Sequence, residues 1–342
     1  MISKIIAEDL INKVYSSLQD AEKIAIVVHV GPDGDAMGAA LGLWHYLMTI
    51  EKEPTVISPT PYPNFLSWMP GANEVLIYEN DKEKADNILA SAELIFTLDF
   101  NSLHRLEEMA EAVSNSPAPK ILVDHHLHPE SFAKITISYP EISSTSEMIF
   151  RLICRMGDFA NINLACAECI YTGMMTDTGS FTYNSNDPEI YIIISELIKI
   201  GIDKDEIYRK VFNTYSESRL RLMGFCLYEK MQTFPEFRTA IISLTQEDLS
   251  RFNYVNGDAE GFVNIPLSVK GIDFSVFLRE EKNRIKISLR SQGKFPANKV
   301  ASDLFGGGGH LNAAGAESYT SMQETINTLL NALPDYQVFF EE

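Results

Sequence analysis

The chain has 342 residues, 45% of them hydrophobic, and its 28 Lys and Arg against 47 Asp and Glu leave a formal net charge of −19. That length exceeds what one hydrophobic core usually serves and predicts two domains. The charge excludes the broad basic surface that holds long nucleic acids, so neither long DNA nor long RNA is an expected partner; a small anionic substrate stays compatible if metal ions and a few local cations supply the positive field.

No run approaches the ~20 apolar residues of a membrane span. The opening residues MISKIIAEDLINKVYSSLQDAEK read as an amphipathic helix rather than a signal peptide. A cytoplasmic location without a membrane partner is therefore expected. Cys154, Cys166, Cys169 and Cys226 are too few for a disulfide framework at this length. Cys166 and Cys169 form a lone C-x-x-C inside the helical stretch NLACAECIYTGMM, which reads as core thiols rather than a zinc or redox site.

Up to about residue 180, short β-rich apolar runs alternate with helical stretches, the pattern of a parallel sheet covered by helices. The runs are 24–29, 55–58, 94–99 and 121–124. Three of them deliver a potential metal ligand: IAIVVH reaches His29, LIFTLD reaches Asp99, and KILVDHH reaches Asp124, His125 and His126. Ligands of open α/β sheets gather at the carboxyl ends of strands. From 188 to 231 the sequence is helical throughout. RTAIISL, IDFSVFLRE and NRIKISLRS are then strand-like, GKFPANKVASDLF and 321–333 are helical, and Ser321 with Glu324 forms a capping box. The expected division is a metal-binding catalytic domain over 1–187, a helical connector over 188–234 and a smaller α/β domain over 235–342.

The chemistry-bearing residues fall into five segments. In His29-Val30-Gly31-Pro32-Asp33-Gly34-Asp35 the Gly and Pro residues force an irregular turn after a strand, so an imidazole and two carboxylates can converge. Asp99 and the Asp124-His125-His126 triplet end two further strands, and Asp177 lies in MMTDTGSFTYN. Singly these are ordinary turns and caps. Jointly they make the mixed imidazole and carboxylate inventory that a pair of divalent ions needs, with Mn²⁺ the best match and Mg²⁺ or Co²⁺ as alternatives. Far downstream, Gly306, Gly307, Gly308 and Gly309 precede His310, and four glycines can present backbone N–H groups to a phosphate. Arg290, ending RIKISLRS, can grip a phosphate through two N–H groups.

Taken together, HVGPDGD, Asp99, the Asp124-His125-His126 triplet, Asp177, SLRS and GGGGHLNAAG resemble the DHH phosphoesterases that carry a DHH-associated C-terminal domain, most closely the nanoRNase and phosphoadenosine-phosphate phosphatase branch. The resemblance spans roughly residues 20–330. It implies a parallel-sheet DHH domain, a helical connector and a smaller C-terminal α/β domain, with the active site in the cleft between domains. It also implies roles: His29 and Asp33 on one ion, Asp35, His125 and Asp177 on the other, Asp99 bridging, His126 facing the scissile phosphate and Asp124 orienting the histidines. Arg290, Gly306–Gly309 and His310 would bind substrate. The implied activity is hydrolysis of very short RNA to mononucleotides and of 3′-phosphoadenosine 5′-phosphate to AMP. A phosphodiesterase for linear or cyclic signalling dinucleotides is the alternative within the chemistry, and a non-catalytic nucleotide-binding protein the alternative outside it. Oligomeric state is left open, a homodimer included.

Overall fold

The structure is a computed structural model and describes residues 4–213 and 215–340. The chain divides into two compact units, Met1–Thr214 and Tyr215–Glu342.

The first unit contains helices α1 (Glu8–Asp20), α2 (Gly34–Thr49), α3 (Lys82–Ser91), α4 (Ala110–Asn115), α5 (Thr145–Arg155), α6 (Leu164–Asp177), α7 (Pro188–Ile200) and α8 (Lys204–Phe212). Its strands are β1 (Lys23–Val27), β2 (Glu53–Ser58), β3 (Leu76–Ile77), β4 (Leu94–Leu98), β5 (Lys120–Asp124) and β6 (Ile135–Ser138). They pair in parallel in the order β3-β2-β1-β4-β5-β6. Both faces are covered, so the central strands read as unbroken apolar runs; every residue of Leu94–Leu98 is buried. Ile24, Ile26, Phe96 and Val123 join one core with α2, α5 and α6. Ala25, Val27 and Ile95 point the other way, to a core with α3 and α4. The chain runs outward from β1 to β3 and returns to β4 on the opposite side of β1, so β1 and β4 flank a switch point, the place where α/β sheets open a ligand crevice. His29 and Asp99 follow those two strands.

Helices α2 and α6 pack at close range. A Cβ on Gly38 would lie 2.7 Å from the carbonyl oxygen of Cys169 and from the backbone of Gly173, and one on Gly34 would lie 2.2 Å from Thr176 Oγ1. Only glycine permits that approach, which brings the start of α2, with Asp35, beside the end of α6, with Asp177. Cys166 and Cys169 lie buried in this seam as free thiols, and burial pushes the Cys166 thiol up to about 12. They have the core role the sequence implied. No helix among the described residues is long and apolar enough to cross a membrane.

Within the stretch 188–234, expected as a helical connector, α7 and α8 belong to the first unit, while the helix Glu217–Phe225 and the strand Met231–Phe234 belong to the second. Ile190, Ile193 and Leu197 of α7 and Ile207 and Val211 of α8 join the core of the first unit. Leu222, Phe225 and Cys226, in and just after α9 (Glu217–Phe225), join a core of the second. Each apolar stripe is buried in the nearest core, which periodicity alone does not specify.

The second unit also holds β7 (Met231–Phe234), β8 (Thr239–Leu244), α10 (Gln246–Arg251), β9 (Phe274–Glu280), β10 (Ile285–Ser291), α11 (Ala297–Phe305), β11 (Gly308–His310), β12 (Ala313–Ser318) and α12 (Met322–Ala332). The strand order is β11-β12-β10-β9-β8-β7, antiparallel except for the β8 and β9 pair. Val276, Ile287 and Leu289 pack one face against Val300 of α11 and Leu329 of α12. The capping box of Ser321 and Glu324 starts α12 as the sequence predicts.

Candidate metal centre

Each acidic or imidazole group at the carboxyl ends of β1, β4 and β5 is held by a local device. His29 Nδ1 lies 2.9 Å from the carbonyl oxygen of Val30 and His125 Nδ1 lies 3.2 Å from that of Ile142. A carbonyl only accepts, so both Nδ1 atoms carry the proton and both Nε2 lone pairs are left for a cation. Asp33 is the N-cap of α2; one of its oxygens accepts from the N–H groups of Asp35 and Ala36. Asp35, in the first turn of α2, accepts from the N–H of Thr145 at 2.6 Å and of Ser146 at 2.8 Å, donors of the first turn of α5 that have no partner within their own helix. Asp99 turns the chain with φ +65°, a left-handed conformation outside glycine that Asp tolerates better than most residues.

These groups converge. His29 Nε2 is 3.6 Å from Asp99 Oδ2, while His125 Nε2 is 3.6 Å from Asp99 Oδ1, 3.8 Å from Asp35 and 3.6 Å from Asp177. Those separations are long for hydrogen bonds but suit two donors that each reach one ion at ~2.1 Å. The donor atoms form compact groups: His29 with Asp33 and Asp99, Asp35 with His125 and Asp177, and Asp99 with His125 and His126. Asp99 has one oxygen toward each side. The donor chemistry, buried imidazoles with surplus carboxylates, fits divalent metal ions. Asp124 and His126 do different work. His126 Nδ1 donates to Asp124 Oδ1 at 2.7 Å, which commits that nitrogen. Asp124 is fully buried, and its Oδ2 has no hydrogen-bond partner among the described residues.

Charge crowding appears in the titration of the metal-free cluster. Burial, then the neighbouring Asp99 and Asp177, raise Asp35 well above the carboxylate range. Asp177, whose side chain still reaches solvent, is raised to about 7 by the surrounding protein and by Asp33 and Asp99. Burial works against a charged Asp99, yet the neighbouring His29 imidazole, then His126 and His125, hold it below the usual range. His125 goes the other way, to about 9: burial opposes the charge but Asp177, Asp99 and Asp35 outweigh it. These shifts follow from carboxylates crowded in one buried place, where protons or a bound cation would offset their mutual repulsion.

In the second unit, Arg290 on β10 and His310 on β11 both lie opposite Ala313 of the intervening β12, so the three form one row across the sheet. The neighbouring row of Ser288, Gly315 and Gly308 is small and polar. The glycine run is not an open loop. Gly306 caps α11 with φ +65°, and the N–H groups of Gly306 and Gly307 donate to Ser302 and Ala301. Gly308–His310 is a strand paired with β12. A Cβ on Gly307 or Gly309 would lie 2.2 Å from the Gly315 oxygen or 2.4 Å from the Ala313 oxygen. Close backbone approach within the unit thus explains these two glycines, and the Gly306 and Gly307 N–H groups are taken.

The segment Ser143-Ser144-Thr145-Ser146-Glu147 escaped the sequence reading. It is buried throughout and supplies the donors to Asp35, together with a hydroxyl, Thr145 Oγ1, that donates to Asp99 Oδ1 at 2.8 Å. The signal was present as Ser144 three places before Glu147 ahead of an amphipathic stretch, a helix-start pattern, but a run of Ser and Thr reads first as a turn.

The DHH family N-terminal domain model matches residues 23–174, and the DHHA1 domain model matches 240–337. The bifunctional oligoribonuclease and PAP phosphatase NrnA of Thermus thermophilus is 30% identical over 295 residues, covering 86% of this chain and 83% of that protein. Its Bacillus subtilis namesake is 26% identical over 294 residues, 85% and 88% of the two chains. Among solved structures, an exopolyphosphatase-related protein from Bacteroides fragilis is 55% identical, covers 100% of both chains and superposes with a TM-score of 0.97.

Proposed function

Because the chain belongs to the DHH phosphoesterase family, in the form that carries a DHHA1 domain, we propose that it uses two divalent ions, Mn²⁺ foremost, to hydrolyse very short RNA to mononucleotides and 3′-phosphoadenosine 5′-phosphate to AMP. The observation that carries the two-ion reading is Asp99, whose oxygens face His29 on one side and His125 on the other. His29 and Asp33 would hold one ion, Asp35, His125 and Asp177 the other, and Asp99 both. When bound, such a pair supplies Lewis acidity, which makes hydroxide available near neutral pH and neutralises charge on phosphoryl oxygens. The names of the Thermus and Bacillus relatives support the substrate class.

The chain's own residues prepare the rest. Backbone carbonyls fix the tautomers of His29 and His125, so no reorientation is needed when a cation arrives. Asp124 aims His126, and the hydrogen bond between them raises His126 against the opposing effect of burial. In its protonated form the ring would donate to a phosphoryl oxygen or to the departing oxygen of the nucleotide. Arg290 and His310, with Gly308 and Gly309 beside them, are assigned to a substrate phosphate on chemical grounds: a guanidinium and an imidazole in one row of a small-residue surface. The net charge of −19 favours small substrates over long strands.

The test is a substrate panel on protein stripped of metal and reloaded with Mn²⁺: 5′-phosphorylated dinucleotides to pentamers, long RNA, 3′-phosphoadenosine 5′-phosphate, signalling dinucleotides and polyphosphate, the last because the similar Bacteroides protein is described as exopolyphosphatase-related. The expected outcome is fast turnover of short RNA and phosphoadenosine phosphate and none in excess chelator. Turnover confined to polyphosphate or to signalling dinucleotides would overturn the substrate assignment, and turnover in chelator would overturn the metal chemistry.

A further inference from the structure

We propose that Thr145 is a positioning residue that sets the ion subsite of Asp35, His125 and Asp177, separately from the subsite of His29 and Asp33; the inference rests on the two-ion reading above. Thr145 is the first residue of α5 and fully buried. Its N–H donates to Asp35 Oδ2 at 2.6 Å, and its hydroxyl donates to Asp99 Oδ1 at 2.8 Å. These are two of the three carboxylate oxygens that approach His125 Nε2, at 3.8 Å and 3.6 Å, the third being that of Asp177. The oxygen of Asp99 on the His29 side, Oδ2, receives nothing from Thr145. One residue therefore holds two of the donors of one subsite and leaves the other alone.

The helix does not need this hydroxyl for its own start. Ser144 is the N-cap and accepts from the N–H of Glu147. The residue is itself clamped. Glu147 accepts from the N–H and hydroxyl of Ser143 and from Nε of Arg151, and Arg151 extends to Glu189 on α7. That buried network fixes the turn carrying Thr145, so the Asp99 carboxylate is steered by a rigid donor rather than by solvent. A hydrogen bond to a charged group, once removed from a buried site, typically changes an equilibrium by about tenfold to a hundredfold.

The experiment is calorimetric titration of the metal-free full chain with Mn²⁺, run with thermal unfolding in excess chelator, on wild type, Thr145→Val, Thr145→Ser and Thr172→Val. Valine keeps the shape and the backbone donor and removes only the hydroxyl. Thr172→Val is the control for a structural effect, because that hydroxyl is also fully buried and bonds the backbone oxygen of Glu168 within α6. The expected result is two ions on wild type, about tenfold or greater weakening of one binding event in Thr145→Val with the other unchanged, and both retained in Thr145→Ser and Thr172→Val. If valine prevents folding, Thr145→Ala carries the same comparison. Unchanged binding of both ions to Thr145→Val, or equal weakening of both events, overturns the proposal. Wild type that binds fewer than two ions overturns the two-ion reading instead.

Discussion

Replacing Asp99 by asparagine isolates charge from shape. The residue sits at φ +65°, where asparagine is among the best tolerated side chains, and an amide oxygen can still accept from Thr145, so the fold is expected to persist. What disappears is a unit negative charge 3.6 Å from His29, 3.6 Å from His125 and 3.9 Å from His126. Coulomb's law at an effective dielectric constant of ~20 assigns ~4–5 kcal/mol to a unit charge pair at such a distance, and a cation among these groups would lose at least a comparable attraction. If that loss appears in the barrier, turnover falls by roughly 10³-fold, at least as far as with Asp35→Ala or Asp177→Ala. The assay is kcat/KM on a 5′-phosphorylated dinucleotide at saturating Mn²⁺, together with histidine titration by NMR in the metal-free protein, where the midpoint of His125 should drop from about 9. A variant within tenfold of wild type, with His125 still titrating near 9, would refute the bridging role.

Metal binding should strengthen as pH rises through 7 toward 9, because Asp177, raised to about 7, and His125, raised to about 9, must shed protons to serve as ligands; titrations in buffers of different ionisation enthalpy count the released protons, and pH-independent affinity would contradict this. Both pKa values are raised on folding, so the stability they lend the metal-free protein is present at low pH and lost as pH climbs from about 4 through 9. Unfolding in chelator should therefore occur at lower temperature at pH 9 than at pH 6. Gly38→Ala puts a methyl 2.7 Å from backbone atoms of α6 that cannot rotate away, and urea denaturation should register a loss of ~1–3 kcal/mol. Arg290→Ala should lower kcat/KM on 5′-phosphorylated dinucleotides by roughly tenfold to a hundredfold while sparing bis-p-nitrophenyl phosphate, which has no second phosphate; equal losses on both would place Arg290 at the scissile group.

Strand ends were the most legible part of the sequence. IAIVVH, LIFTLD and KILVDHH announce β1, β4 and β5 because buried parallel strands are apolar on both faces, and the first polar residue then marks the sheet's edge. Strand β3, two residues long, and β6, the run ITIS, carry too little pattern to be separated from loops. The buried turn before α5 was missed for a related reason: the Thr145 hydroxyl serves a carboxylate 46 positions away, and the N–H groups of Thr145 and Ser146 serve one 110 and 111 positions away, and such partners are invisible along the chain. The glycine run misled in the opposite sense. Its composition promised free N–H groups, whereas strand pairing with β12 and the end of α11 account for much of its need for glycine.

The central claim is two ions sharing Asp99, and anomalous diffraction at the manganese edge from a crystal of this chain soaked in Mn²⁺ tests it most directly. The account predicts two peaks ~3.5–4 Å apart, one beside His29 and Asp33, the other beside Asp35, His125 and Asp177, with Asp99 between them. A single peak, or peaks that do not share Asp99, would contradict it.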